Sequence, residues 1–82
     1  MTLAQATAKR ILELANQNNY SLKVLSELSD VSVSTVKNMI YNKTKNPSSA
    51  IIYKICVTLN IKMAEFYDSE LFDKIVIYEL DD

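Results

Sequence analysis

The sequence predicts an all-α fold, a compact bundle of five short helices, and three observations predict it. Apolar Leu, Ile, Val and Ala recur at helical spacing over most of the chain, and β-branched runs are scarce before the C-terminus. Hydroxyl residues suited to start helices, Ser21, Ser32 and Ser48, each stand just ahead of such a pattern. With 82 residues and 49 % hydrophobic content, the chain can bury one small core and cannot support two.

The first helix is expected over residues 3 to about 18, with Ile11, Leu14 and Ala15 on its inner face and the polar run 16–19 ending it. Residues 21–29 form the second, in which Leu22, Leu25 and Leu28 recur every three residues. Residues 32–41 form the third, held inward by Val36, Met39 and Ile40. Only Ser29, Asp30 and Val31 separate these two patterns, enough for a sharp corner, and the small Ser26 lets one helix cross closely over the other. A polar connector, 42–47, leads to a fourth helix that Ser48 caps and whose buried side is Ile52, Ile55, Cys56 and Leu59. A fifth, 63–67, closes the bundle with Phe66. These elements make one domain over 1–69, followed by a segment, 70–82, for dimerisation or packing. There Leu71, Ile75 and Tyr78, or Phe72, Val76 and Leu80, suit a helix, while the run 75–78 suits a strand.

Two short helices around a tight corner are the pattern of a helix-turn-helix. The run Glu27-Leu28-Ser29-Asp30-Val31-Ser32-Val33-Ser34-Thr35, followed by Asn42-Lys43, Lys45-Asn46-Pro47-Ser48, Lys54-Ile55-Cys56, Leu59, Ile61 and Glu65-Phe66-Tyr67, resembles the lambda-repressor-like, or Xre/Cro, family of DNA-binding domains. The resemblance covers about Arg10 to Tyr67 and keeps the order and spacing of the motifs. It implies a small transcriptional regulator, a repressor, that reads double-stranded DNA with residues 32–41 in the major groove.

The chain departs from that pattern in having no glycine. Asp30, Asn42 and Asn60 stand where the family often has it, and Asp and Asn tolerate a left-handed backbone best among the other residues. Ser49 replaces a residue that is more often apolar, and Lys62 stands where a serine would cap the last helix.

A net charge of −1 is poorly matched to an anionic partner, but the charge is unevenly spread. Residues 1–45 carry six cations against three acids, net +3, and residues 46–82 carry three against seven, net −4. One half is suited to face phosphates, with modest affinity per monomer, so a homodimer on DNA is expected.

By the family pattern the base-reading positions are Val33, Ser34, Lys37 and Asn38. Asn can pair bidentately with adenine, Lys donates to guanine, and Val can meet a thymine methyl. Ser32, Thr35, Lys23, Tyr41, Lys43, Lys45 and Asn46 are the candidates for phosphate contact. Each has a plainer alternative. Val33 can pack under a neighbouring loop, Lys37 and Asn38 can be solvated helix surface, and Lys43 and Lys45 can be solubilising loop residues. The tyrosines read as core-edge residues, with Tyr41 placed to reach a phosphate.

Nothing points to an enzyme: there is no histidine, no glycine-rich phosphate loop and no cysteine cluster, so neither cofactor nor metal is expected. Cys56, the lone cysteine, reads as a small buried hydrophobe. No run approaches the roughly 20 apolar residues that cross a bilayer, no export signal is seen, and no small-molecule ligand is evident. A cytoplasmic protein is expected. The alternative function is a helix-turn-helix module that binds another protein, an antitoxin or adaptor, through its acidic, apolar C-terminal segment.

Overall fold

Four of the five helices begin on a hydroxyl that caps them. Thr2 opens α1 (Leu3–Gln17), its Oγ1 accepting from the Gln5 N–H at 3.1 Å while the Gln5 side chain accepts from the Thr2 N–H at 2.9 Å. Ser21, Ser32 and Ser48 open α2 (Leu22–Ser29), α3 (Val33–Ile40) and α4 (Ser49–Leu59), each accepting from the N–H three residues on. In α5 (Met63–Tyr67) Lys62 makes no side-chain cap bond, and the Glu65 carboxylate accepts from the Lys62 N–H at 3.3 Å instead. The computed structural model describes residues 1–41 and 47–75. The chain folds as an all-helical bundle, with no strand among the described residues.

Three helices end in the same way. Asn19, Asp30 and Asn60 all have φ near 57°, in the left-handed region. The residue after each returns a backbone bond to a carbonyl five positions back: Tyr20 to Ala15, Val31 to Ser26 and Ile61 to Cys56, at 2.9 to 3.1 Å. This is the Schellman closure, normally built on glycine. Asp30 and Asn60 meet the expectation made for them. Asn19 does the same without having been anticipated, and Asn42 lies outside the described residues.

The closures turn Tyr20 and Ile61 onto the core. That core is Ile11, Leu14 and Ala15 of α1, Leu25 of α2, Met39 of α3, Ile52, Ile55, Cys56 and Leu59 of α4, and Phe66 of α5. The predicted inner faces of the first and fourth helices are therefore correct. A fully buried Ile, Leu or Phe contributes about 1.5 to 3 kcal/mol, so these residues decide which helices meet.

Two expectations need correction. Leu28 is 57 % exposed, because the buried stripe of α2 runs through Leu25, Ser26 and Ser29. Serines are tolerated there because they are bonded: Ser26 Oγ donates to the Lys23 carbonyl at 2.7 Å, and Ser29 Oγ donates across to Thr58 Oγ1 on α4 at 2.9 Å. Tyr53 is no core-edge residue, at 58 % exposure. Beyond α5, the segment expected as helix or strand forms a 3-10 turn, Glu70–Lys74, packed against α1, and only Ile75 of the β-prone run is described, with extended backbone. Phe72 lies against Phe66 and Tyr67, with ring centroids 6.1 and 5.0 Å away.

Candidate nucleic-acid interface

α3 is fastened from one side. Val36 and Met39 are buried at 0 % and 2 % exposure, Ile40 is half-buried, and the helix packs on both α1 and α2. The residues between these anchors point the other way. Ser34, Lys37 and Asn38 are exposed, and Tyr41, which ends the helix, is 64 % exposed. No acidic residue occurs between Ser32 and Tyr41. The exposed side of α3 is thus hydroxyl, amide and ammonium, a donor-rich surface.

The start of α3 is more occupied than its sequence suggests. Ser32 Oγ accepts from the Thr35 N–H at 3.1 Å and lies 2.7 Å from Thr35 Oγ1 and 3.3 Å from Ser34 Oγ. The three hydroxyls form one cluster in the first turn, where the helix dipole favours anions. Thr35 is half-buried, so its hydroxyl faces Ser32 before it faces solvent. Val33, expected to be an exposed first-turn residue, is half-buried and lines a shallow hollow with Glu27, Asp30 and Val31. Lys23 is exposed on α2. Lys43, Lys45 and Asn46 lie outside the described residues.

One cation counted toward the basic half is committed elsewhere. Arg10 Nε donates to the Phe66 carbonyl and Nη2 to the Glu65 carbonyl, both at 2.7 Å, and Nη1 pairs with the Glu13 carboxylate. Its side chain is only 12 % exposed. Arg10 therefore braces the end of α5 against α1, serving the Phe66 carbonyl and adding a second donor to the Glu65 carbonyl, which also accepts from the Asp68 N–H at 3.2 Å. The Glu13 spacing of three residues was the available signal, since i,i+3 neighbours share a helix face.

The geometry is that of two helices, α2 and α3, meeting at a left-handed Asp30 with the second helix turned outward. A family model for the Cro/C1-type helix-turn-helix DNA-binding domain matches residues 10–70. The chain belongs to that family. Among curated proteins and among solved structures, none matches it. The match to the Cro/C1-type domain takes in α2 to α5 whole and all of α1 from Arg10 onward. As a member of this family the chain carries a DNA-binding domain, and DNA is its partner. Among the described residues no group of His, Cys, Asp and Glu could hold a metal ion, and no helix is long and apolar enough to cross a membrane.

Proposed function

We propose that this Cro/C1-type domain is a sequence-specific transcriptional repressor that acts in the cytoplasm as a homodimer, with α3 in the major groove. The observation that carries this reading is the division of α3 into a buried Val36–Met39 side and an exposed, acid-free side bearing Ser34, Lys37 and Asn38. In the proposed complex Asn38 pairs with adenine, Lys37 donates to a guanine, Ser34 reads an adjacent base edge and Val33 meets a thymine methyl at the rim of its hollow. Ser32, Thr35, Lys23 and Tyr41 hold phosphates, joined by Lys43, Lys45 and Asn46. Residues 1–69 form the DNA-binding unit in this reading.

Few cations serve each subunit, so two are needed, on half-sites about 34 Å apart. The surface favoured for pairing lies between α4 and α5, where Tyr53 and Val57 are 58 % and 59 % exposed beside Ile61 and Met63. Repression follows from occupancy of a promoter by such a dimer.

Selection from a random-sequence duplex library at two salt concentrations tests the proposal, with a Lys37→Ala, Asn38→Ala variant alongside. A two-fold symmetric site that is enriched by the parent and lost by the variant is expected. If neither salt yields enrichment, sequence-specific recognition by this chain is ruled out, and the protein-binding role becomes the leading reading.

A further inference from the structure

A groove of about 390 Å³ runs between α1 and α3, lined by Met1, Gln5, Ala8, Lys9, Leu12 and Ile40. Its floor is apolar and incompletely covered: Leu12 is 36 % exposed, and Ile40 is half-buried at the end of α3. The Lys9 side chain stands exposed on its wall. The groove opens where the described chain leaves off. The 3-10 turn packs against α1, the Met1 ammonium donates to the Lys74 carbonyl at 3.4 Å, and Ile75 departs with extended backbone, φ −81° and ψ 132°.

Residues 76–82 follow from that point, Val-Ile-Tyr-Glu-Leu-Asp-Asp. If the segment runs extended, Val76, Tyr78 and Leu80 share one side with Asp82 at its far end, because side chains alternate. Seven extended residues reach about 23 Å, while α1 from Leu3 to Leu12 rises only about 14 Å. The segment is thus long enough to follow the groove from Met1 to Ile40, and its carboxylates at Glu79, Asp81 and Asp82 complement Lys9 and the rest of the basic half.

We propose that residues 76–82 dock in the α1–α3 groove of their own chain, Val76 and Leu80 covering Leu12 and Ile40, and so hold their carboxylates beside the end of α3, where they weaken DNA binding. The effect on DNA rests on the DNA-binding role proposed above; the docking does not. An acidic segment at this place repels phosphates approaching the recognition helix, and the repulsion fades with salt.

Methyl-labelled protein tests the docking without DNA. Nuclear Overhauser cross-peaks from Val76 or Leu80 methyls to those of Leu12 and Ile40 are expected within one chain. Their absence, their appearance at Val57 and Ile61 instead, or their appearance only between differently labelled chains in a mixed sample would overturn it. Affinity for duplex DNA then tests the consequence, comparing the full chain with one ending at Ile75 and with a Val76→Ser, Leu80→Ser variant that keeps every carboxylate. Both are expected to bind several-fold tighter at low salt, with the gain shrinking as salt rises. If only the shortened chain gains, charge removal and not docking is responsible, and the regulatory half of the proposal is overturned. If no chain binds DNA, the DNA-binding role fails while the cross-peaks still decide the docking.

Discussion

Arg10 and Phe66 stand 56 positions apart in sequence and are joined by a 2.7 Å bond from the guanidinium Nε to the backbone carbonyl. A second bond of equal length goes to the carbonyl of Glu65, so the side chain fastens the C-terminal end of α5 to the middle of α1. Bonds from a charged donor contribute about 1.5 to 3 kcal/mol. Arg10→Met, which keeps the aliphatic stem, is therefore expected to lower stability by about 2 kcal/mol in urea unfolding. Arg10→Lys should recover less than half of this, since an ammonium lacks the planar fork that serves both carbonyls. Equal stability of Arg10→Met and the parent would show that the brace contributes nothing.

Ser32 caps α3 and is proposed to meet a phosphate as well, and two substitutions separate the two roles. Ser32→Ala removes the acceptor for the Thr35 N–H and is expected to cost about 1 kcal/mol of stability. Ser32→Asp keeps a capping acceptor and should leave the melting temperature near the parent's, yet it places a negative charge against DNA and should weaken binding at least tenfold at low salt. Unchanged binding by Ser32→Asp would remove this residue from the phosphate surface.

The left-handed corners predict an ordering of substitutions at Asn60, whose φ is 56°. An alanine there meets the Cβ clash of the left-handed region, about 1 to 2 kcal/mol for an ordinary residue. Asn60→Ala should therefore destabilise, and Asn60→Gly should be clearly more stable than Asn60→Ala. Thermal unfolding of the pair checks the ordering, and the reverse order would contradict the left-handed assignment.

Burial pushes the Cys56 thiol above its ordinary range. Burial first, and repulsion from Cys56 second, push the Tyr67 hydroxyl up as well. In both groups folding favours the neutral form, so the unfolded chain releases these protons first as pH rises. Their contribution is fully present below about pH 8.5 and is lost as pH climbs from there through the raised folded values. Denaturant midpoints measured from neutral into alkaline solution should fall, and Cys56→Ala should flatten the earlier part of that fall. A parent midpoint that stays level would refute the assignment.

What could be read from the residues was what depends on near neighbours. Each serine cap bonds three positions on, a distance that any conformation of the rest leaves unchanged, so Ser21, Ser32 and Ser48 announced their helices. The inner face of α4 was legible because Ile52, Ile55, Cys56 and Leu59 form one unbroken apolar stripe. In α2 the leucine repeat points to the wrong face, since Leu28 is exposed. The stripe that is buried substitutes Ser26 and Ser29 for apolar residues, and what makes Ser29 acceptable is Thr58, 29 positions away. Arg10 is legible only in part: the Glu13 spacing signals one partner, but the two backbone carbonyls it also serves carry no signature in sequence. On the outward side of α3, the exposure of Ser34, Lys37 and Asn38 followed from the positions of Val36 and Met39, whereas the half-burial of Val33 depends on the shape of the corner at Asp30 and Val31.

The three glycine-free corners also bear on the state the protein leaves when it folds. Glycine gives up more conformational freedom on folding than any other residue. A chain that makes left-handed turns at Asn19, Asp30 and Asn60 without it starts from a narrower unfolded ensemble. Each corner retains some backbone strain in exchange for a smaller entropic penalty, with fixing a residue costing about 1 to 2 kcal/mol. For a domain with so small a core, restricting the disordered chain is a source of stability that no contact in the folded structure displays.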